Sequence, residues 1–186
     1  MKLTPRQVEK LLRYLKLDVE GVKVAATPGV KATREQHEAD AELPREKTTP
    51  YRAVVALANY LSADRPELQF AAKEVCRWMS CPSELSLNAL KRLGRYLAGN
   101  RRLVFKYPWQ VADRVDAYSD TDWAGCLKTR KSTSGGCLML GRHLIKSWSS
   151  TQASVSLSSG EAEFYGVVKA GGVTLGYQAL LRDVGV

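Results

Sequence analysis

Histidine is nearly absent: 186 residues hold two, His37 and His143, beside four cysteines at positions 76, 81, 126 and 137. No CxxC pair and no Cys/His cluster occurs, which excludes a zinc finger or knuckle of the usual spacing. Long apolar runs are missing too, with no stretch of about 18 such residues to span a membrane as a helix. The opening MKLTPRQVEKLL interleaves its apolar residues with charges, so no signal-peptide core is expected. Scattered cysteines fit an intracellular chain, nuclear or cytoplasmic. Acids are scarce where bases are dense: residues 51–110 carry 10 basic and 4 acidic side chains, and hold +6 of the net +9. Charge concentrated in this way points to a polyanionic partner, nucleic acid first, or to a solvated basic face.

What is present is enough to bury a core, with 45% of the residues hydrophobic. Residues 4–16 read as a helix: Thr4 is a good N-cap, Pro5 suits the first helical position, Gln7 completes a capping box, and Val8, Leu11, Leu12 and Leu15 form a stripe. Residues 18–50 show no apolar periodicity and many charges, which suits a linker or a loosely attached strap, with His37 solvated in it. Three helical patterns follow between 51 and 98. The first, YRAVVALANYLS, is nearly all apolar. Pro66 opens the second, and Pro82 stops it. The third buries Leu90, Leu93 and Leu97 and turns Lys91, Arg92 and Arg95 outward, with Arg101 and Arg102 in its exit loop. Five cations within twelve residues on one helix face suit a phosphate backbone.

After 102 the period shortens. LVFKYPW, RVDAYSD, GGCLMLG and HLIKSWSS read as short strands, the last two as a hairpin turning at Gly141–Arg142. A serine-rich segment leads to a final helix from about 160 to 183, with Ser158 and Glu161 as its capping box. Helices, then strands, then a helix predict an α+β fold.

Two acids stand out, Asp120 at the end of a strand and Glu163 in the first turns of the last helix. A carboxylate at a strand end can be a turn former, a salt-bridge partner or a metal ligand. If the helix packs across an antiparallel meander, the two carboxylates converge, and like charges held close raise one pKa or draw in a cation. A hard divalent ion such as Mg²⁺ is then a reasonable guest. Capping and turn acids on a surface are the alternative.

The stretch YSDTDWAGCLKTRKSTSGGCLMLGRHLIKSWSSTQASVSLSSGEAEFYG closely resembles the ribonuclease H segment of copia-type retrotransposon Pol polyproteins. Upstream, YRAVVALANYLSADRPELQFAAKEVCRWMSCPSELSLNALKRLGRYLAGNRRLVF resembles the region after the polymerase palm of the same polyproteins. The likeness runs from about 47 to 185, and residues 1–46 resemble nothing recognisable. It implies a reverse transcriptase thumb- or connection-like helical segment over 47–110 and a partial ribonuclease H-like unit over 111–186, a three-stranded antiparallel meander plus a helix, after an N-terminal helix and linker over 1–46.

By that resemblance Asp120 and Glu163 are catalytic acids and Mg²⁺ ligands, and Glu161 is a cap. Asp122 is a turn former or an outer acid, and Trp123 and Trp148 are core aromatics or base-stacking platforms. Lys128, Arg130 and Lys131 hold phosphates of an RNA–DNA hybrid or are merely solvated. The family's third and fourth acids and the polymerase's paired aspartates have no counterpart here. The expectation is a piece of a Pol polyprotein that is inactive alone, partnered by hybrid and by the rest of the polyprotein. The alternatives are a non-catalytic nucleic-acid-binding remnant and a relic.

Overall fold

The computed structural model describes residues 5–112 and 114–185, in two compact units divided between Lys106 and Tyr107. The fold is α+β, as expected: helices first, then a three-stranded antiparallel sheet with one helix upon it. No helix among the described residues is long and apolar enough to cross a membrane.

In the first unit, α1 (Pro5–Tyr14) buries Val8, Leu11 and Leu12, the stripe that the spacing predicts. Its Thr4 cap lies outside the described residues. The helix ends in a Schellman motif: Lys16 takes a left-handed φ of 57°, Leu17 N–H donates to Leu12 O at 2.8 Å, and Lys16 N–H donates to Arg13 O at 3.0 Å. That turn delivers Leu17 onto the helix α5 (Glu84–Gly99), where a Cβ on Gly94 would lie 2.7 Å from Leu17 Cδ1. Between them come α2 (Arg34–Glu38), α3 (Arg45–Ser62), a 3₁₀ turn (Pro66–Leu68) and α4 (Gln69–Cys76). α3 starts six residues before the apolar pattern does and runs through Pro50, which sits inside the helix. Leu68, Leu90, Leu93 and Leu97 are fully buried in the shared core, each worth about 1.5–3 kcal/mol of transfer free energy.

Residues 18–44 are not a loose strap. Ala25 N–H donates to Arg95 O, Leu43 N–H to Pro82 O, Glu84 N–H to Ala41 O and Leu85 N–H to the Asp40 carboxylate. Ala25 and Leu43 are buried, and Val24 covers Gly99. His37 is half-buried and stacks on Trp78, ring centroids 6.0 Å apart, so it is not the solvated side chain the sequence suggests. Attachment here runs through backbone groups and isolated small side chains, which leave no periodic trace.

In the second unit, β1 (Val115–Asp122), β2 (Thr133–Leu140) and β3 (His143–Thr151) form a meander in that order. The β2–β3 turn falls at Gly141–Arg142, with Gly141 at φ 55°. The reading of LVFKYPW as a strand is not met, since residues 103–109 form none. Gln110 instead binds the hairpin end, donating to Leu140 O at 2.7 Å and accepting from Arg142 N–H at 3.0 Å. Helix α6 (Ser159–Asp183) lies on one face of the sheet and buries only Ala162, Gly166 and Ala170.

Candidate functional site

Strand alternation sorts the residues of β1. A Cβ on Gly166 would lie 2.5 Å from Thr121 Oγ1 and 3.0 Å from Ser119 Oγ, so these side chains face α6. Asp120 lies between them, its Cβ on the opposite pleat, and it is exposed. Among the described residues β1 is also an outer strand, paired with β2 alone. Glu163, in the second turn of α6, reaches that edge: its Oε1 accepts the backbone N–H of Thr121 at 3.2 Å. Glu163 therefore sits beside the peptide that joins Asp120 to Thr121. Along the same edge, an open groove of about 650 Å³ runs between Ala117 and Ser119 of β1 and Val167, Ala170 and Thr174 of α6.

The position of α6 is fixed by a residue that the sequence reading passed over. Gln152 is buried, and its Nε2 donates to Ser134 Oγ at 2.9 Å and to Ala162 O at 2.8 Å. Ser156 Oγ donates to Gln152 Oε1 at 2.8 Å, and Gln152 N–H donates to Ser132 O at 2.9 Å. This amide ties β2, the serine-rich connection and the first turn of α6 together, one residue before Glu163. A glutamine within a serine run carries no periodic signal of burial, which is why pattern reading does not find it.

The other acids near the site have local tasks. Asp122 accepts from Gly125 N–H at 3.0 Å, closing the turn after β1. Ser158 caps α6 by accepting Glu161 N–H, as expected. Glu161 does not close the box on Ser158 N–H; it accepts from Leu157 N–H at 2.7 Å, one residue earlier. Trp123 is 51% exposed, so it is not a core aromatic, and its Nε1 donates to Ser156 O. Trp148 is half-buried over Gly136, on the α6 side of the sheet, and its buried Nε1 has no partner.

Beside Ser150, Lys169 of α6 donates to the serine hydroxyl, and burial holds its pKa below the usual lysine range. Mg²⁺ takes a near-octahedral shell of oxygens. Among the described residues no group of three or more His, Cys, Asp or Glu side chains could hold a metal ion. Asp120 and Glu163 therefore do not fit a complete Mg²⁺ site on their own.

Two of the five cations on α5 and its exit loop are engaged. Arg92 donates from Nη2 to Thr27 Oγ1 at 2.9 Å, and Arg101 pairs with Asp18 at 3.2 Å. The docked segment thus covers two of the five positions that the sequence turns outward together. Arg95 and Arg102 are exposed and Lys91 is half-buried; none of the three makes an ion pair among the described residues. In the second unit, Lys128 and Arg130 are exposed and Lys131 is half-buried, in a loop closed by Arg130 N–H on Cys126 O and Cys126 N–H on Lys131 O.

No protein-family model matches this chain, and no solved structure does. Among curated proteins it is similar to the retrovirus-related Pol polyproteins from transposons RE1 and RE2 of Arabidopsis thaliana. It is 38% identical to the first over 141 residues, which is 74% of this chain and 9% of that protein. It is 35% identical to the second over 167 residues, 88% of this chain and 11% of that protein. The chain thus spans about a tenth of the length of these relatives. It is also 33% identical over 125 residues to secreted RxLR effector protein 161 of Plasmopara viticola, covering 67% of this chain and 88% of that protein.

Proposed function

The chain belongs to the retrovirus-related Pol polyproteins of copia-type transposons, and from that membership we propose that it is an RNA–DNA hybrid-binding segment spanning the end of a reverse transcriptase and the start of a ribonuclease H. The observation that carries this reading is the reach of Glu163 to the backbone beside Asp120, because it sets a helix acid at the strand end that bears the other acid. In this reading the two acids hold the places of a catalytic pair. The Mg²⁺ that the resemblance implies would need further oxygen donors, which the described residues do not bring together. The segment by itself binds hybrid without cutting it.

Binding rests on Lys91, Arg95 and Arg102 in the first unit and on Lys128, Arg130 and Lys131 in the second. Each phosphate neutralised releases counterions, so affinity falls with salt by roughly 0.7–0.9 log units per contact per log unit of salt. The test is hybrid affinity measured against salt for the whole chain and for a K91Q/R95Q/R102Q variant. The expected result is a steep negative slope that the variant reduces by about two. A flat slope in the parent chain would remove the reading. In the same assay with Mg²⁺, labelled hybrid should stay uncut to the level of an Asp120→Asn control.

A further inference from the structure

We propose that Thr27 is a phosphorylation site and that Arg92 is the residue which holds the phosphate. Thr27 is exposed in a bend of the irregular stretch that crosses α5, and Pro28 follows it. Thr-Pro is the dipeptide on which proline-directed kinases act. The hydroxyl already faces a cation: Thr27 Oγ1 donates to Gly29 O at 3.1 Å and accepts from Arg92 Nη2 at 2.9 Å. On the same edge of that guanidinium, Arg92 Nε is buried and has no partner. The Nε–H and Nη2–H bonds of an arginine run side by side, the fork that takes two oxygens of one phosphate.

A buried donor left unmade is unfavourable, and a phosphate on Thr27 would supply the acceptor that this one lacks. The surroundings favour an anion as well. Residues 21–34 contain no acid, and Lys23 and Lys31 flank Thr27 in the chain. Lys91 and Arg95 stand on the same stretch of α5, with Ala25 N–H on Arg95 O fixing the segment there.

In the transfer, Thr27 Oγ1 attacks the γ-phosphorus of ATP and an O–P bond forms. The bond from that phosphorus to the β–γ bridging oxygen breaks and ADP leaves, while the hydroxyl proton passes to the base of the kinase. The product carries a charge of about −1.5 to −2 near neutral pH. Its bond to Gly29 O is lost with the proton, and the Arg92 fork replaces it. Placed among Lys91, Arg92 and Arg95, the group cancels about half or more of the positive charge on the face that α5 presents. This consequence alone rests on the hybrid-binding reading above.

The experiment treats the full chain, and a peptide covering residues 22–32, with ATP and a proline-directed Ser/Thr kinase that labels the peptide. Mass spectrometry locates the phosphate, with Thr27→Ala as control, and ³¹P NMR follows its titration. The expected result is incorporation at Thr27 of the folded chain and a second phosphate pKa about half a unit to one unit below that of the peptide. Arg92→Gln should return the value to that of the peptide, and Arg92→Lys should fall between. If Arg92→Gln does not give a cooperative melt, the parent chain against the peptide decides alone. Labelling of the peptide but not of the chain, or the same pKa in both, would overturn the site. In a separate arm, phosphorylation should weaken hybrid binding by roughly tenfold. An unchanged affinity would overturn that consequence and leave the titration result standing.

Discussion

The carboxylate of Glu163 accepts the backbone N–H of Thr121 at 3.2 Å, joining α6 to the outer edge of the sheet. That amide points away from β2, so no strand bond protects it, and the carboxylate takes the place of one. Glu163→Ala should speed hydrogen exchange at Thr121 well above its neighbours and cost about 1 kcal/mol in urea unfolding. Glu163→Gln, which keeps an acceptor, should restore most of both. An unchanged exchange rate in Glu163→Ala would show that the contact does not persist in solution.

Gln152 carries a larger share of the site. Its removal strips partners from Ser156 Oγ, Ser134 Oγ and Ala162 O at once, in a place that excludes solvent. Gln152→Leu should therefore cost about 2–4 kcal/mol. Thermal unfolding checks this, and a loss under 1 kcal/mol would mean that the amide network is dispensable.

Thr121 and Gly166 form a tight contact whose two halves respond in opposite ways. Gly166→Ala would set a methyl group 2.5 Å from Thr121 Oγ1, and the strand side chains or the helix must give way, at about 1–3 kcal/mol. The Thr121 hydroxyl is itself buried without a partner, so Thr121→Val should be neutral or stabilising by about 1 kcal/mol. Because the residues touch, Thr121→Ala with Gly166→Ala should cost less than the two single changes added together. Additive losses would argue against the contact.

Tyr51 makes the helical unit sensitive to alkali. Burial pushes its hydroxyl up to about 12, against 10.0 in an exposed tyrosine, with a hydrogen bond to Ser86 partly opposing the shift. Its hydroxyl also donates to Val75 O at 2.7 Å. The unfolded chain loses this proton first, so the folded state holds more protons between pH 10 and 12 and loses stability as pH rises through that window. The loss reaches about 2–3 kcal/mol by pH 12. Tyr51→Phe should be the less stable protein at pH 8 and should show a shallower fall above pH 10. Parallel pH curves for the two proteins would contradict this.

The sequence and the structure part company at particular residues. Arg92 and Arg101 look like their neighbours Lys91 and Arg95 on a helical wheel, yet one binds Thr27 and the other Asp18, 65 and 83 positions away. Trp123 is as aromatic as Trp148 and is half in solvent, because its indole closes on Ser156 at the margin of the sheet. Lys16 adopts a left-handed φ that glycine would take more readily, and only the docking of Leu17 explains its place.

By itself the sequence determined whatever depends on neighbours three or four positions apart: the stripes of α1 and α5, the Ser158 cap, the turn at Gly141 and Arg142, and the α+β order of elements. These follow from helix and strand periodicity and from local hydrogen bonds, which any window of the chain contains. Only the tertiary structure decided which cations stay open, how residues 18–44 are held and what seats Glu163 beside β1. Those contacts join groups that no short window of the chain holds together, such as Thr121 with Glu163, 42 positions apart, and Arg92 with Thr27, 65 apart. Their pairing is set by how whole elements pack, and no short pattern records it.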